Sequence, residues 1–355
     1  MPTRTALTPR DLSLTLFVVL AWALSFPVTE GALSALPPLL VGGLRFVFVS
    51  VGCLFVPRPA LPWRWIAVIG LFLSTGQYGL LYLGMAAGMP SGLAALVVQA
   101  QVPLTILVSA VALRERPTAR RVAGLVISSL GLGLVGLTRG GAVPLSALFM
   151  VLGAGASWAI GNVCMRVAPF AEKRADNGFR LIVWSALIPP IPLLALSLTQ
   201  RVPGRGRGLH AEWAALTVAG PRAWLALGYM VVLGTIAAMS IWSSLLARYP
   251  ADRVTPFALA IPVCALFLSR ILIDESISGQ TLGACAVVLA GLALTALPPR
   301  RPAGYGEGDP SGTDTSAGAE VAAVAVAVTT VRSGAETSGA GPEPADAGGA
   351  SVVVG

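Results

Sequence analysis

The sequence predicts an all-α integral membrane protein with ten transmembrane helices, arranged as two inverted five-helix repeats, and a disordered C-terminal tail. Three observations carry this prediction. Of the 355 residues, 55% are hydrophobic and 11% are charged, whereas a soluble domain is about 25% charged. Ten apolar stretches are long enough to cross a hydrocarbon core of about 30 Å as helices. Landmark residues of the first half of the chain return in the second half in the same order.

The ten predicted spans follow one another with mostly short connections. Their apolar runs are continuous, which favours helices over the alternating strands of a membrane barrel. The first run follows Arg4 and Arg10 without a small-residue cleavage site, so we interpret it as a helix and not as a signal peptide. The predicted spans are residues 12–30, 38–57, 65–85, 91–113, 121–138, 146–167, 179–199, 222–245, 254–273 and 280–298.

Basic residues predict that both termini face the cytoplasm. Cytoplasmic loops of membrane proteins carry an excess of Lys and Arg. With the N-terminus inside, 17 of the 24 basic residues fall in cytoplasmic segments, six fall outside, and Arg45 lies within a span. All of them except Lys173 are arginine, which is typical of a GC-rich bacterial genome. We therefore expect a multi-pass protein of a bacterial plasma membrane.

Composition argues against a metal, redox or nucleic-acid site. The four cysteines, Cys53, Cys164, Cys264 and Cys285, lie far apart within apolar runs, where packing is their expected role. A single histidine, His210, is too little for a zinc site or a His-based triad. The net charge of +8 is spread between the apolar runs, unlike the basic patch that binds nucleic acid. We expect no metal, no cofactor and no catalytic residue.

Matching residues divide the chain into two repeats. The predicted organisation is a cytoplasmic N-terminus (1–11), a first repeat (12–138), a second repeat (146–298) and a disordered cytoplasmic tail (299–355) rich in Gly, Ala, Ser, Thr and Pro. Five spans per repeat is an odd number, so the second copy enters the membrane upside down, as in many secondary transporters. The matching pairs are Trp22 with Trp158, Arg45 with Arg180, Glu115 with Glu275, and Gly131 with Gly291.

Two prolines interrupt equivalent spans of the two repeats. Pro103 and Pro262 lie in the fourth and ninth spans, 12 and 13 residues before the paired glutamates. A proline inside a helix removes a backbone hydrogen bond, and in lipid the freed carbonyl needs protein or water. Interrupted helices at matching positions predict a binding site near mid-depth. Gln99 and Gln101 lie beside the first interruption, and hydrogen bonding between helices is their alternative role.

The layout resembles the EamA family of the drug/metabolite transporter superfamily, whose members have ten helices in two inverted five-helix repeats. The resemblance covers residues 12–298 and is carried by stretches such as GMPSGLAALVVQAQVPLTI, SWAIGN and TPFALAIPVCALF. Within the family, these stretches most resemble the bacterial exporters of O-acetylserine and cysteine. The resemblance implies a transporter and not an enzyme. It would export small polar metabolites, such as these amino acids, by alternating access.

The resemblance also implies a central cavity lined by the first, third, fourth, sixth, eighth and ninth spans. Aromatic walls and amide groups suit a zwitterion, because the amides hydrogen-bond its ammonium and carboxylate. For the tryptophans, anchoring at the membrane interface or helix packing is the alternative. The candidate lining residues are Trp22, Ser25, Phe26, Gln77, Tyr78, Gln99, Gln101, Trp158, Asn162 and Trp242, with Pro262 in the ninth span.

Two charged residues near the outer ends of spans are candidates for a role in transport. Arg45 could attract a substrate carboxylate, pair with Glu30, or anchor the interface, and its place near a span end favours the anchor. No carboxylate lies at the centre of a predicted span. Because proton-coupled carriers often use a buried carboxylate, we expect facilitated efflux or exchange, or coupling through Glu30.

The expected partners are a small-molecule substrate and the lipid bilayer, with a homodimer left open and no nucleic acid. One alternative is an EamA-type carrier for other metabolites or drugs, in either direction. A channel or a sensor is a further alternative, although paired broken helices favour a carrier. A membrane-embedded enzyme would need a cluster of His, Asp, Glu or Cys near one interface, and the sequence offers none.

Overall fold

The computed structural model describes residues 7–138, 143–171, 176–202, 204–249, 251–275 and 278–296. The predicted tail, residues 299–355, lies outside the described residues. The helices of the first half of the chain are α1 (Pro9–Leu33), α2 (Pro38–Ser50), α3 (Trp63–Ile69), α4 (Gln77–Ala86), α5 (Ser91–Val97), α6 (Gln101–Ala112) and α7 (Ala119–Thr138).

The described residues of the second half of the chain, from residue 143 onward, also form helices. These helices are α8 (Leu145–Val167), α9 (Asn177–Ser185), α10 (Pro190–Ser197), α11 (Leu209–Val218), α12 (Pro221–Val231), α13 (Ala238–Arg248), α14 (Ala251–Val254), α15 (Ala260–Ile273) and α16 (Gly279–Ala296). Within the described residues of the whole chain, strand pairing is confined to an isolated bridge between Val202 and Gly206.

All ten predicted spans coincide with helical segments, and the all-helical prediction is confirmed for the described residues. Seven helical segments in this part of the chain are long and apolar enough to cross a membrane. Shorter apolar helices lie at Pro38–Leu54 and Leu282–Thr295. The count of ten crossings and the inverted orientation of the second repeat stay predictions.

The outward faces of the bundle carry large apolar side chains. Soluble monomers rarely expose contiguous apolar patches of more than a few hundred Å², whereas a bundle in lipid needs such a surface. The exposed side chains include Leu54, Phe55, Leu137, Ile191 and Leu225.

Prolines set the start of several helices. Pro9, Pro38, Pro190 and Pro221 occupy the first turn of α1, α2, α10 and α12. This is the favoured place for proline, because an N–H in the first turn has no partner within the helix. The Thr8 hydroxyl completes the start of α1 by accepting a hydrogen bond from the following turn.

Irregular helical segments occur at matching places in both halves. A π-helix, Gly70–Gly76, joins α3 to α4, and another, Val232–Ala237, joins α12 to α13. A 3-10 helix, Val98–Ala100, joins α5 to α6, and another, Thr255–Leu259, joins α14 to α15. The third and eighth predicted spans therefore share one distortion, and the fourth and ninth share another.

A threonine stabilises each π-helix in the same way. Thr75 donates to the carbonyl of Gly70 at 3.2 Å, and Thr235 donates to the carbonyl of Met230 at 2.8 Å. In both cases the acceptor lies five residues earlier, where the wider turn brings its carbonyl within reach. The two threonines are 160 residues apart, the offset that also separates the paired glutamates.

Helices α7 and α16 pack along each other through glycine. A Cβ on Gly131 would lie 2.6 Å from the backbone nitrogen of Val288, and Gly291 approaches Ser128 equally closely. Gly291 lies 160 positions after Gly131, and Val288 lies 160 positions after Ser128. The two helices therefore make the same contact in both directions. Reciprocal contacts are what a two-fold relation between two halves produces.

The connection after the seventh predicted span differs from the expected loop. Residues 200–221 were expected to form a long loop, whereas the helix α11 occupies residues 209–218 of this range. The buried carboxylate of Glu212 on α11 accepts a hydrogen bond from the Ser197 hydroxyl on α10. This tertiary contact fixes α11 against the bundle, and local sequence alone does not reveal it.

Candidate functional site

Two tryptophans from opposite halves of the chain meet beside the π-helix Val232–Ala237. The indole rings of Trp22 on α1 and Trp242 on α13 pack edge to face, with centroids 5.2 Å apart. Trp22 Nε1 donates to the carbonyl of Gly234 at 3.2 Å. A Cβ on Gly234 would lie 2.8 Å from the Ser25 hydroxyl, so glycine permits this approach of α1. Three predicted lining residues therefore form one half-buried cluster.

A second polar contact joins the fourth and sixth predicted spans. Asn162 Nδ2 on α8 donates to Gln101 Oε1 at 3.0 Å. Gln101 begins α6, directly after the 3-10 helix. Gly155 lets α8 approach this turn, because a Cβ there would lie 3.2 Å from the Gln101 nitrogen and from the Val98 carbonyl oxygen. Amide groups of both halves thus meet at the point where the fourth span is interrupted.

The two predicted helix breaks lie beside the 3-10 helices. Pro103 is in the first turn of α6, and Pro262 is in the first turn of α15. Each follows a 3-10 helix, so the missing N–H falls where the regular hydrogen-bond ladder starts again. Gln99 lies within the first 3-10 helix and is buried, and Gln77 is buried directly after the first π-helix.

Two predicted lining residues lie in apolar packing clusters. Phe26 packs against a cluster formed by Ala23, Ala95 and Ala265. Trp158 packs against a cluster that includes Leu61, Ile66, Ile69, Leu73 and Leu181. Helix packing, the alternative role considered for the tryptophans, describes the contacts of Trp158.

Arg45 lies inside the bundle. Its side chain is 3% exposed. Nε and Nη2 donate to the Thr235 hydroxyl at 3.3 and 2.8 Å, and Nη1 donates to the Tyr82 hydroxyl at 2.6 Å. The guanidinium carbon lies 4.3 Å from the centroid of the Tyr78 ring. The interface-anchor interpretation is therefore wrong, because α2 packs with the side chain facing its neighbours and not the membrane surface.

Glu275 connects the second half of the chain to the start of α5, and sequence reasoning missed this role. Its Oε2 accepts hydrogen bonds from the Gly92 backbone nitrogen at 3.0 Å and from the Ser91 hydroxyl at 3.1 Å. The Ser91 hydroxyl also lies 2.9 Å from that of Ser269. The sequence analysis paired Glu275 with Glu115 as matching residues of the two repeats. Such a match does not show which residues Glu275 contacts.

The environment of Glu275 perturbs its carboxyl group. Burial raises its pKa above the ordinary value, and hydrogen bonds from Gly92 and Ser91 offset part of this effect. The exposed Glu30 adds a smaller contribution in the raising direction through its charge. Glu275 Oε1 is buried and has no hydrogen-bond partner among the described residues.

The opposite end of the fourth span is arranged differently. Glu115, the match of Glu275, accepts a hydrogen bond from Arg166 on α8 at 2.9 Å and forms an exposed ion pair with it. A cavity of about 200 Å³ lies beside this pair, lined in part by Thr105 and Ser109 of α6. The matching glutamates therefore make different contacts, so the two halves differ in conformation at these ends.

The chemistry of these clusters suits binding by hydrogen bonds and aromatic contact. They contain amides, hydroxyls, indole rings and one buried guanidinium. In the part of the chain that the structure describes, no group of three or more His, Cys, Asp or Glu residues is placed to hold a metal ion.

Two stretches of the chain, residues 11–137 and 145–297, each match the EamA-like transporter family. A Salmonella typhimurium protein named "Probable amino-acid metabolite efflux pump" is 35% identical over 291 residues, which cover 80% of this chain and 93% of that relative. An Escherichia coli protein with the same name is 35% identical over 292 residues, with the same coverage. A Bacillus subtilis protein named "Uncharacterized transporter YvbV" is 24% identical over 300 residues, covering 82% of this chain and 91% of that relative.

A solved crystal structure has a similar fold. It is 19% identical, has a TM-score of 0.54, and the alignment covers 81% of this chain and 96% of that one. The family match repeats in the two halves, which agrees with the paired π-helices and 3-10 helices described above. The chain belongs to the EamA-like transporter family.

Proposed function

We propose that this transporter exports small amino-acid metabolites across the bacterial plasma membrane, with cysteine and O-acetylserine as its substrates. Two relatives that are 35% identical are named probable amino-acid metabolite efflux pumps. Resemblance of the fourth and ninth spans to exporters of O-acetylserine and cysteine supports these two substrates. Both termini face the cytoplasm in this proposal, as the distribution of basic residues predicts.

The observation that carries the proposal is the meeting of polar and aromatic side chains from both halves beside irregular helical turns. Trp22 meets Trp242 at the second π-helix, and Gln101 meets Asn162 at the first 3-10 helix. Irregular backbone at membrane depth is tolerated only where it is buried in protein or lines a cavity. In secondary transporters such segments supply the substrate site.

These two clusters have distinct roles in the proposal. The Trp22–Trp242 pair forms an apolar wall, and the Gln101–Asn162 pair hydrogen-bonds the polar groups of the substrate. The amide of Gln99 serves as a further hydrogen-bonding group next to this pair. Because the partners come from different halves, a relative movement of the halves changes the site that they form.

Alternating access is supported by the unequal contacts of the paired glutamates. Glu275 holds the start of α5, which the predicted orientation puts at the outer surface, whereas Glu115 pairs with Arg166 at the inner end. In the proposed cycle, the Glu275 contact breaks when the substrate leaves to the outside. Two repeats that adopt different conformations at matching ends provide the asymmetry that such a cycle needs.

The expected energy source is the substrate gradient or exchange with another solute. The carboxylates Glu30, Glu115 and Glu275 lie at the ends of predicted spans and not at their centres. Transport in proteoliposomes should therefore proceed without an imposed pH gradient. Transport that requires the gradient in the wild type and loses this requirement in Glu30→Gln would show that coupling runs through Glu30.

An efflux assay with the full chain tests the proposed function. Cells that produce the protein are loaded with labelled cysteine or O-acetylserine, and release is compared with that of cells carrying the empty vector. We expect faster release by the wild type and about five- to thirtyfold slower release by Trp242→Ala and Gln101→Ala, since each loses a substrate contact of about 1 to 2 kcal/mol.

A matched substitution separates the site from general damage. Trp213 lies on α11 and is 65% exposed, so Trp213→Ala should release substrate at the wild-type rate when the variants are equally abundant in the membrane. Release at the empty-vector rate by the wild type would refute the cysteine-pathway substrates. A metabolite screen would then identify the cargo of an otherwise intact carrier.

A further inference from the structure

Arg45 is a buried cation with no carboxylate of the described residues paired to it. Its hydrogen bonds go to two hydroxyl groups, and its guanidinium lies over the Tyr78 ring. Among the described residues, no carboxylate lies within ion-pair distance of Arg45. Ionisable groups inside membrane bundles are costly and are found mostly on substrate or ion pathways. The hydroxyls satisfy hydrogen bonds of the guanidinium but leave its charge uncompensated.

The two hydroxyl groups present only their oxygen lone pairs to Arg45. The Thr235 hydroxyl donates its hydrogen to the Met230 carbonyl at 2.8 Å, and the Tyr82 hydroxyl donates to the Met230 sulfur at 3.5 Å. Arg45 therefore makes three hydrogen bonds here, while a guanidinium has five N–H donors. Two donors and one full positive charge are left for an anionic partner.

The position of this cation connects it to the candidate site. Thr235, which binds Arg45, directly follows Gly234, which accepts the hydrogen bond from Trp22. Both residues lie in the π-helix Val232–Ala237. Consecutive residues of one irregular turn therefore contact the guanidinium and the aromatic wall.

We propose that Arg45 binds the carboxylate of the transported substrate, with Thr235 and Tyr82 holding the guanidinium in the conformation described here. This inference rests on the proposed function and names the substrate class: small molecules with a free carboxylate. Planar guanidinium and carboxylate groups match in bidentate geometry, which makes arginine selective for this group. An amine of the same size without a carboxylate should bind weakly.

The first test asks whether Arg45 is needed for folding. Arg45→Met keeps the length of the side chain and removes the charge, while Thr235 and Tyr82 keep their hydrogen bonds to Met230. Replacing buried ionic groups by well-packed apolar side chains of similar volume is often neutral or stabilising. We expect the ligand-free thermal midpoint of the purified full chain to be unchanged or higher. A markedly lower midpoint in both Arg45→Met and Arg45→Gln would assign Arg45 a structural role and contradict the inference.

The second test measures carboxylate selectivity by thermal stabilisation in detergent. L-cysteine is paired with cysteamine, and O-acetyl-L-serine with O-acetylethanolamine, so each pair differs in the carboxylate. We expect the carboxylates to stabilise the wild type and the amines to have little effect. Arg45→Met should weaken the apparent affinity for the carboxylates about ten- to hundredfold, and Arg45→Lys should weaken it less and keep the preference.

Arg180 provides the matched control. It corresponds to Arg45 in the second repeat, but its side chain already pairs with Asp176 at 2.7 Å. Arg180→Met should therefore keep the wild-type preference for carboxylates. Equal carboxylate preference in the wild type and in folded Arg45→Met would overturn the inference, whatever the substrate is.

Extending the panel to all amino acids separates this inference from the proposed function. If another carboxylate stabilises the wild type through Arg45, the subsite holds and the choice of cysteine and O-acetylserine is wrong. If carboxylates bind through Arg45 but none is transported, the subsite holds and the proposed function fails. If no carboxylate stabilises the wild type, the subsite itself is refuted.

Discussion

The buried polar side chains of this transporter link one half of the chain to the other. Trp22, Gln101 and Arg45 each hydrogen-bond to a group in the second half, and Glu275 hydrogen-bonds to the first half at Gly92. Polar groups inside a lipid-embedded bundle need partners in the protein or in a water-filled cavity, because the hydrocarbon offers none. The same contacts that satisfy these groups must therefore be exchanged when the two halves move.

Glu275 gives a pH prediction at the residue scale. Burial raises its pKa, so the carboxyl binds a proton more readily in the closed contact with α5 than when it is exposed to water. When the pH is lowered from above the raised pKa of Glu275 toward the ordinary pKa of a glutamate, the contact between Glu275 and α5 should become more stable. When the pH is raised, this contact should become less stable. Of the nearby charges, Glu30 acts in the same direction, and Arg270 is paired with Asp274 at 2.7 Å.

The measurement is the rate at which a maleimide labels a cysteine placed at Ala95, which is 1% exposed on α5. The four native cysteines are replaced first. As the pH is lowered, the labelling rate should fall more steeply in the protein that keeps Glu275 than in the otherwise identical protein that carries Glu275→Gln. The Glu275→Gln protein has the same introduced thiol, so it corrects for titration of that thiol. Identical pH profiles in the two proteins would show that Glu275 does not control the contact.

Glycines and irregular turns decide how the elements pack. The π-helices and 3-10 helices recur in both halves. Gln77 adjoins the first π-helix, Gln99 lies in the first 3-10 helix, and Gly234 of the second π-helix accepts a hydrogen bond from Trp22. The α7–α16 contact, in contrast, is regular and depends on Gly131 and Gly291. We infer that α7 and α16 form a fixed pair, while the distorted helices carry the site.

Two glycines of α7 provide a matched pair for testing this close packing. A Cβ on Gly131 would meet the backbone of Val288, so Gly131→Ala should destabilise the protein by about 1 to 3 kcal/mol. A Cβ on Gly133 meets nothing within 4 Å, so Gly133→Ala should be neutral or stabilise by up to about 1 kcal/mol through helix propensity. Unfolding in mixed micelles measures both, and equal effects would contradict close packing at Gly131.

Continuous apolar runs were sufficient to predict where the helices of the ten spans lie, but they did not reveal α11. Pro103 and Pro262 also predicted where the fourth and ninth spans become irregular, because proline removes a backbone donor wherever it stands. The two π-helices were not predicted. Glycine and threonine also occur where regular helices pack closely, so these residues do not identify a π-helix. A π-helix has about one extra residue per turn, which shifts the spacing of its apolar residues, but this shift cannot be recognised in a run in which nearly every residue is apolar.

Contacts between distant residues could not be predicted from one sequence. Arg45 was expected at an interface because it lies near a span end, but neighbouring helices supply hydroxyls that bury it. The partners of Glu275 and Glu212 were missed for the same reason. In the candidate site, Trp22, Trp242, Gln101 and Asn162 were each predicted as lining residues. The sequence did not predict that they would meet as the Trp22–Trp242 and Gln101–Asn162 pairs.

At the scale of the whole molecule, polar contacts connect the halves at both ends of the bundle. At one end, Asp11 on α1 binds Arg248 and the Tyr249 hydroxyl, each at 2.6 Å. At the other, Glu275 binds Ser91 and Gly92. The central claim is that the substrate passes between the halves and that the α5–α15 contact opens during each cycle.

Cross-linking α5 to α15 tests this claim most directly. Ala95 and Ala265 lie in one buried cluster between these helices. A cysteine pair at these two positions, without the native cysteines, is reconstituted, and O-acetylserine efflux is measured before oxidation, after oxidation and after reduction, because this substrate has no thiol to exchange with the disulfide. We predict loss of transport on cross-linking and recovery on reduction, with neither single-cysteine protein affected. Undiminished transport by fully cross-linked protein would contradict the account.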